Sequence, residues 1–321
     1  MRSLSRRALI ASFVAVALAA CGGDASQPSG RLRVAVIPKG TTHEFWKAVE
    51  TGAKRAGEEL GVEVVWKGPL KENDRAEQIR VVEQFASEGV DGIALAPLDD
   101  KALVRPVADA RTKGIDVVIF DSALEGTAGT DFASFVASDN LEGGRMAGRE
   151  MARLLDGRGK VVVLRYQVGS ASTIDRESGF LEVIGRQPGL ELLSADQYAG
   201  ASVESAKTKA LNLLDVLRQA DGIFCSNESA SVGMLRALEQ EGLAGKVKFV
   251  GFDATPPLVE ALASGAISAL VVQDPVDMGH RAVQTLVAAV QGRPVEPRIA
   301  TTLALATKAN LSEPSIARLL K

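Results

Sequence analysis

The chain has 321 residues, more than a single domain of about 150 residues, and this length indicates two lobes. Apolar residues make up 46% and charged residues 24% of the chain, a composition that excludes a disordered protein. With 37 basic and 40 acidic residues, the net charge is −3, which argues against nucleic acid as the main partner. Two cysteines and two histidines are too few for a disulfide framework or a metal shell, so we expect no metal and no cofactor.

The first 20 residues predict an export signal. Three arginines precede the apolar run from Ala8 to Ala20, and this run of about 13 residues is shorter than the roughly 20 that a membrane-spanning helix needs. The run ends in the sequence LAAC at Cys21, which resembles the bacterial lipobox, whose cysteine is lipidated and becomes the mature N-terminus. An ordinary secretory signal with a chance cysteine is the alternative.

Residues 21–31 predict a tether between this signal and the folded body. They contain the candidate lipid site, Cys21, followed by the stretch GGDASQPSG, whose composition is that of a flexible linker. We therefore expect a lipoprotein in the periplasm or on the outer cell surface. Its contact with the membrane would be made only through the lipid on Cys21.

The body predicts an α/β fold. Short β-branched apolar runs alternate with segments in which apolar residues return every three or four positions, as in βαβ units. Strands are predicted at 32–38, 62–66, 90–96, 115–121, 134–138, 160–166, 190–195, 222–226, 247–252 and 267–273. Helices are predicted at 43–60, 75–88, 101–113, 141–155, 173–186, 203–219, 230–241, 257–263 and 276–290. About ten strands are too many for one sheet, so two doubly wound parallel-sheet lobes are expected.

Four of the predicted strands end in a polar side chain or are directly followed by one: Asp121, Asn227, Asp253 and Gln273. Ligands of open parallel sheets bind at the carboxyl ends of the strands. Carboxylates and amides there would suit a ligand rich in hydroxyl groups, which both donate and accept hydrogen bonds. Such residues after strands can also simply cap the next helix or form turns. Asn227 is the weakest of the four as a ligand residue, because Glu228 and Ser229 could equally cap the helix that follows.

Three further residues could contact such a ligand. Phe45 and Trp46 stand near the start of the first helix, where an aromatic face could cover the apolar face of a sugar ring. Adjacent residues cannot share a helix face, so one could be core while the other faces a cleft, and core packing of both is the alternative. Arg176 could donate to ring oxygens or instead form a surface salt bridge with Asp175 or Glu177.

The common sequence motifs of catalysis are absent from the chain. The sequence contains no G-x-G-x-x-G, phosphate-binding P-loop, G-x-S-x-G or H-E-x-x-H stretch. Cys225 ends a buried run without a histidine nearby in the sequence, and His280 falls in a predicted helix. We therefore expect a protein without enzymatic activity; a periplasmic hydrolase or isomerase would need a nucleophile and base that the sequence does not offer.

At these same positions the chain resembles the type I periplasmic sugar-binding proteins of ABC importers, of the ribose-binding kind, from Leu32 to Leu311. The resemblance is carried by separate motifs in the same order: His43-Glu44-Phe45-Trp46, Phe120-Asp121, Ala137-Ser138-Asp139-Asn140, Gly143-Gly144, Arg176-Glu177-Ser178-Gly179-Phe180, Asn227-Glu228, Val250-Gly251-Phe252-Asp253 and Val272-Gln273-Asp274-Pro275.

The resemblance implies a ligand site between the lobes. In it, Phe45 and Trp46 would sandwich the sugar ring, while its hydroxyl groups would be held by Asp121, Arg176, Asn227, Asp253 and Gln273. Three positions depart from the ribose binders: Ala96 and His43 replace asparagines, and Ser122 replaces an arginine. His43 and Ser122 remain candidate ligand residues. The loss of two long polar side chains leaves room for a larger ligand or for water.

The resemblance also implies the domain organisation. The N-terminal lobe would comprise residues 32–138 and 274–302, and the C-terminal lobe residues 139–273 and 303–321, with crossings near Ser138, Gln273 and Thr302. The expected function is that of a monomeric solute-binding lipoprotein that captures a monosaccharide or polyol and delivers it to an ABC permease. The alternatives are the sensing core of a lac-repressor-like regulator, which would need a DNA-reading helix-turn-helix before the first strand, and a chemoreceptor-linked sugar sensor.

Overall fold

A computed structural model describes residues 30–320 of the chain. The predicted export signal and the lipid site at Cys21 lie outside the described residues. Within residues 30–320, no helix combines the length and the apolar character that crossing a bilayer requires.

Two six-stranded sheets form the framework of the protein. The first sheet has the order β11-β5-β4-β3-β1-β2 and is parallel throughout. The second has the order β12-β10-β9-β8-β6-β7, and only β12 runs antiparallel, against β10. The strands are β1 (Arg33–Ile37), β2 (Glu63–Trp66), β3 (Gly92–Leu95), β4 (Asp116–Phe120), β5 (Ser134–Ala137), β6 (Arg158–Arg165), β7 (Gly189–Tyr198), β8 (Gly222–Cys225), β9 (Lys248–Phe252), β10 (Ala269–Gln273), β11 (Arg298–Ala300) and β12 (Leu303–Thr307).

Helices connect the strands and bury their apolar faces against both sides of each sheet, in four clusters of apolar side chains. The helices are α1 (Glu44–Leu60), α2 (Arg75–Glu88), α3 (Val104–Thr112), α4 (Asn140–Leu154), α5 (Ala171–Ile184), α6 (Val203–Asn212), α7 (Leu214–Leu217), α8 (Glu228–Gln240), α9 (Pro256–Ser264), α10 (Pro275–Val290) and α11 (Pro314–Ala317). The predicted fold class of two parallel-sheet α/β lobes is confirmed.

The sequence prediction was incomplete at four places. The strand β11 was missed because it has only three residues. The strand β12 was missed because its apolar residues, 303–306, are leucine and alanine and not β-branched, and most of the strand is half exposed. The helix predicted at 203–219 is two helices, α6 and α7, which are separated at Leu213. The short helix α11 was also missed, because four residues are too few to show helical periodicity.

The strand order makes the chain change sheet three times, after β5, after β10 and after β11. The strands β6 to β10 are therefore inserted between two parts of the first sheet. We call the layers around the first and second sheets the first and second lobes. The lobe boundaries expected at 138, 273 and 302 stay a prediction.

Each lobe contains a very close pair of helices that meet at glycines. In the first lobe, a side chain on Gly52 of α1 would overlap the Val276 carbonyl of α10, and one on Gly279 of α10 would overlap the Val49 carbonyl of α1. The second lobe repeats this arrangement between α4 and α5, where Gly144 faces the carbonyl oxygen of Arg176 and Gly179 that of Leu141. The glycines are therefore required by the packing of the helices, although they are poor helix formers.

We predict that Gly52→Ala and Gly144→Ala each lower the free energy of unfolding by about 1–3 kcal/mol, because the added methyl group pushes two helix backbones apart. Urea denaturation measures the change. Alanine is the better helix former by about 1 kcal/mol, so either variant would stabilise the protein if the helices were not in close contact. Lys54→Ala, on the exposed face of α1, is the control and should change stability by less than about 0.5 kcal/mol.

Candidate ligand-binding site

The carboxyl ends of four strands meet at one buried cavity between the two sheets. Asp121 follows β4, Asn227 lies two residues after β8, Asp253 follows β9, and Gln273 ends β10. All four line the cavity, together with His43, Phe45, Trp46 and Arg176. Ser122 is the one predicted site residue that does not line it: its hydroxyl is buried and accepts a hydrogen bond from the Ser172 backbone N–H at 3.1 Å.

The two aspartates share an unusual backbone. Asp121 has a φ of 59° and Asp253 a φ of 70°, which places both in the left-handed region. Each backbone N–H donates to the next strand of its sheet, to the carbonyls of Val136 and Val271 respectively. Aspartate tolerates this conformation better than most residues, and strain of this kind concentrates at functional sites. The repeated geometry turns one carboxylate from each lobe toward the cavity.

Protein groups occupy part of the hydrogen-bonding capacity of these side chains. The Asp253 carboxylate accepts from Gln273 Nε2 at 2.7 Å and from the Glu228 backbone N–H at 2.9 Å. Burial raises the pKa of Asp253. The charge of Arg176 and the hydrogen bond from Gln273 partly offset this rise. Gln273 Oε1 is buried and has no hydrogen-bond partner within residues 30–320, so it is free to accept from a ligand hydroxyl.

Asn227 performs the capping role that the sequence left open. Its Oδ1 accepts from the Ala230 backbone N–H at 3.2 Å and caps α8, while its Nδ2 donates to Ser229. The residue also lines the cavity. Its amide therefore has less capacity for a ligand than those of the other strand-end residues.

Arg176 is a buried site residue and not a surface cation. It is 3% exposed, and its guanidinium lies 3.9 Å from the centre of the Phe252 ring. Its Nε donates to Asn140 Oδ1 at 2.8 Å and its Nη1 to the Ser226 carbonyl at 3.1 Å. The salt bridge considered with its chain neighbours is therefore wrong. A fixed guanidinium with further donors is a suitable partner for oxygen atoms of a ligand.

Trp46 and Phe45 point to different surroundings, because adjacent residues of a helix cannot share one face. Trp46 is 3% exposed and packs edge-on against Phe120 with ring centres 6.3 Å apart. Phe45 is half-buried and lies edge-on to Trp46, with ring centres 5.0 Å apart. Both line the cavity, but Trp46 belongs to the core of the first lobe, which leaves Phe45 as the more adaptable contact.

A buried carboxylate, Glu72, organises the first-lobe side of the site and was missed in the sequence. It lies in the loop after β2 and accepts from His43 Nδ1 and Trp46 Nε1, both at 2.6 Å. From the second lobe it accepts the Tyr166 hydroxyl at 2.7 Å. Burial opposes the charge on both members of the His43–Glu72 pair. Their mutual hydrogen bond and attraction outweigh it, so the pKa of His43 rises to about 9 and that of Glu72 falls to about 2.

Lys39 was also missed, and it joins the two lobes. Its buried ammonium lies 3.0 Å from Asp121 Oδ2 and donates to Ser172 Oγ at 2.9 Å and Ser170 Oγ at 3.2 Å. Asp121 is thus neutralised by a protein cation and has less free capacity than an unpaired carboxylate. Lys39 and Glu72 lie in the loops that follow β1 and β2. Charged residues in the loops after strands, and not only residues at strand ends, are therefore candidates for such a site.

We predict a pH dependence of stability from the His43–Glu72 pair. A raised histidine pKa stabilises the folded state fully below about 6.5, and this contribution is lost as pH rises through about 9. Chemical denaturation between pH 6.5 and 9 should show that the wild type loses about 1–3 kcal/mol more than His43→Gln, which cannot titrate there. Equal slopes for His43→Gln and wild type would refute the pairing.

Residues 34–294 match the family model described as "Periplasmic binding protein domain". The chain is 30% identical to the D-allose-binding periplasmic protein of Escherichia coli (strain K12) over 268 residues, which cover 82% of this chain and 86% of that protein.

Solved structures agree with this assignment. A carbohydrate transporter solute binding protein from Agrobacterium radiobacter, in complex with D-arabinose, matches with a TM-score of 0.87 and 32% identity over 91% of this chain and 100% of that one. An ABC transporter solute binding protein from Agrobacterium vitis with bound D-fucose has the same TM-score of 0.87 at 34% identity, over 90% and 100% of the two chains. The resemblance seen in the motifs is confirmed, and the chain belongs to the family of type I periplasmic sugar-binding proteins.

Proposed function

We propose that the protein is a solute-binding lipoprotein of an ABC importer, which captures a monosaccharide or related polyol between its lobes and delivers it to the membrane permease. The observation that carries this proposal is the meeting of strand-end carboxylates and amides, an arginine and an aromatic side chain at one buried interlobe cavity. Relatives described as binding D-allose, D-arabinose and D-fucose support the class of ligand.

The chemistry of the cavity fits an uncharged, hydroxyl-rich ligand. Asp121 and Asp253 accept hydrogen bonds, Arg176 donates them, and the free Gln273 Oε1 accepts. The carboxylates of Glu72 and Asp121 already face the cations His43 and Lys39, so a charged ligand would bring an unbalanced charge into a buried site.

Ligand capture would close the cleft because the groups that hold the ligand come from both lobes. Asp121 and Phe45 belong to the first lobe, whereas Arg176, Asp253 and Gln273 belong to the second. A ligand that bonds to both sets favours the closed over the open state. The closed form would then be the form that the permease recognises.

The family relationship favours import over the regulator that shares this fold, since the relatives are periplasmic and transport proteins. The family is one of binding proteins, and we infer that this member carries out no catalysis. A chemoreceptor-linked sensor would use the same site and would differ only in the partner of the closed form.

A thermal-shift screen of D-allose, D-ribose, D-arabinose, D-fucose, xylitol and myo-inositol tests the proposal. A ligand that binds only the folded protein raises its melting temperature, by an amount that grows with ligand concentration over Kd. We expect at least one sugar or polyol of this panel to do so at millimolar concentration. No response to any of them, and to a wider set of pentoses and hexoses, would contradict sugar binding.

Calorimetry on variants then tests the site with the sugar that gives the largest shift. Asp121→Asn and Asp253→Asn replace an acceptor oxygen by a donor, and each should weaken binding by about 10- to 150-fold through loss of a charge-assisted hydrogen bond. Phe45→Ala should weaken it by removing a ring contact. Lys54→Ala, on the exposed face of α1, is the control and should bind as the wild type does. Unchanged affinity in both aspartate variants would refute the strand-end site.

The proposed lipid anchor can be tested separately in cells. Cys21→Ser removes the thiol that would carry the lipid, so the exported protein should move from the membrane fraction to the soluble periplasmic or extracellular fraction. Cys225→Ser is the matched control, because Cys225 is a buried residue of β8 and its replacement should leave membrane attachment unchanged. A Cys21→Ser protein that stays with the membrane would contradict the lipoprotein assignment.

A further inference from the structure

Helix α1 begins without a cap from its own segment. His43 occupies the N-cap position, but its side chain makes no capping hydrogen bond, because its Nδ1 is bonded to Glu72. The first backbone N–H groups of a helix have no partner within the helix and need another acceptor. In α1 these include the N–H groups of Glu44 and Phe45.

A carboxylate from the opposite lobe accepts both of them. Glu228 Oε1 lies 3.2 Å from the Glu44 backbone nitrogen, and Oε2 lies 2.8 Å from that of Phe45. Glu228 is the first residue of α8, which follows β8 of the second sheet. The start of α1 is therefore capped across the cleft.

The position of Glu228 is fixed by the ligand site itself. Its own backbone N–H donates to Asp253 Oδ2 at 2.9 Å, and the residue is 7% exposed. Glu228 interacts electrostatically with His43 and Asp253, and also with Lys47 of α1. Burial raises the pKa of Glu228 to about 7, and the two backbone hydrogen bonds and His43 oppose this rise.

We propose that Glu228 is a closure latch: a positioning residue that caps α1 only when the lobes are closed and thereby holds Phe45 against the cavity. The latch rests on the function proposed above, since lobe closing matters for a protein that captures its ligand between two lobes. In an open form, water would replace Glu228 at the two N–H groups. The two hydrogen bonds of Glu228 therefore stabilise only the closed state, and they do so in the absence of ligand.

Lys39 makes the reciprocal contact, from the first lobe to the serines at the start of α5. Each lobe thus sends one charged side chain to the beginning of a helix in the other. Because apparent affinity is reduced when the binding-competent state is only partly populated, loss of a latch should weaken binding without any change in ligand contacts.

Hydrogen exchange on the ligand-free protein tests the latch. The Glu44 and Phe45 amides form no bond within α1, so Glu228 is the group that protects them in the closed form. In Glu228→Ala both amides should exchange about tenfold faster. Glu228→Gln keeps the size of the side chain but only one acceptor oxygen, so it should protect the two amides less than the wild type does. Glu239→Gln, an exposed position on the same helix, removes the same charge and should leave exchange unchanged.

The outcomes separate the latch from the proposed function. Wild-type exchange in Glu228→Ala, or in Glu228→Gln at both amides, would overturn the latch, because side-chain packing alone would then account for the residue.

A second measurement uses small-angle scattering, in which Glu228→Ala should show a larger radius of gyration than the wild type without ligand. Calorimetry with D-arabinose and D-allose as probes should show about tenfold weaker binding in Glu228→Ala. If neither sugar binds the wild type, sugar binding is in question while the exchange result still decides the latch.

Discussion

Charge buried in the cleft is the constraint on which the rest of the site depends. Removing an ionised group from water costs several kcal/mol unless it is paired and hydrogen-bonded, and seven charged side chains line the cavity: Lys39, His43, Glu72, Asp121, Arg176, Glu228 and Asp253. Each of them has protein partners. The pairs Lys39–Asp121 and His43–Glu72 are ionic, Arg176 is held by oxygens and an aromatic ring, and Glu228 is held by backbone N–H groups.

Other contacts of these side chains join the two lobes. Tyr166 reaches Glu72, Lys39 reaches the serines of α5, and Glu228 reaches α1, so three of the partnerships cross the cleft. Because part of the hydrogen bonding of these buried charges comes from the opposite lobe, the cost of burying them depends on the position of the lobes. The sheets supply the rigid part of this arrangement, because the strand ends that carry Asp121 and Asp253 are fixed by parallel pairing on both sides.

Most of the fold could be predicted because buried parallel strands leave a clear pattern. The ten apolar runs correspond to β1 to β10, and the periodic segments between them correspond to helices. What was missed lies where this pattern is weaker. The strand β11 has only three residues, and β12 is half exposed over most of its length and has no β-branched apolar residue. At Leu213, between α6 and α7, the helical spacing of apolar residues continues and there is no glycine or proline, so nothing in the sequence indicates the break.

Some residues of the site are likewise indicated by a sequence pattern, and others are not. Residues at strand ends could be named from the sequence because a strand end is defined by the run before it, as Asp121 and Gln273 are. Glu72 and Glu228 could not be named in the same way. Glu72 lies in a loop, and only the folded chain brings His43, Trp46 and Tyr166 to it; Glu228 has the sequence of an ordinary first-turn acid of α8. Its second role depends on a helix 184 positions away in the sequence, and a contact of that separation is fixed only by the meeting of two lobes.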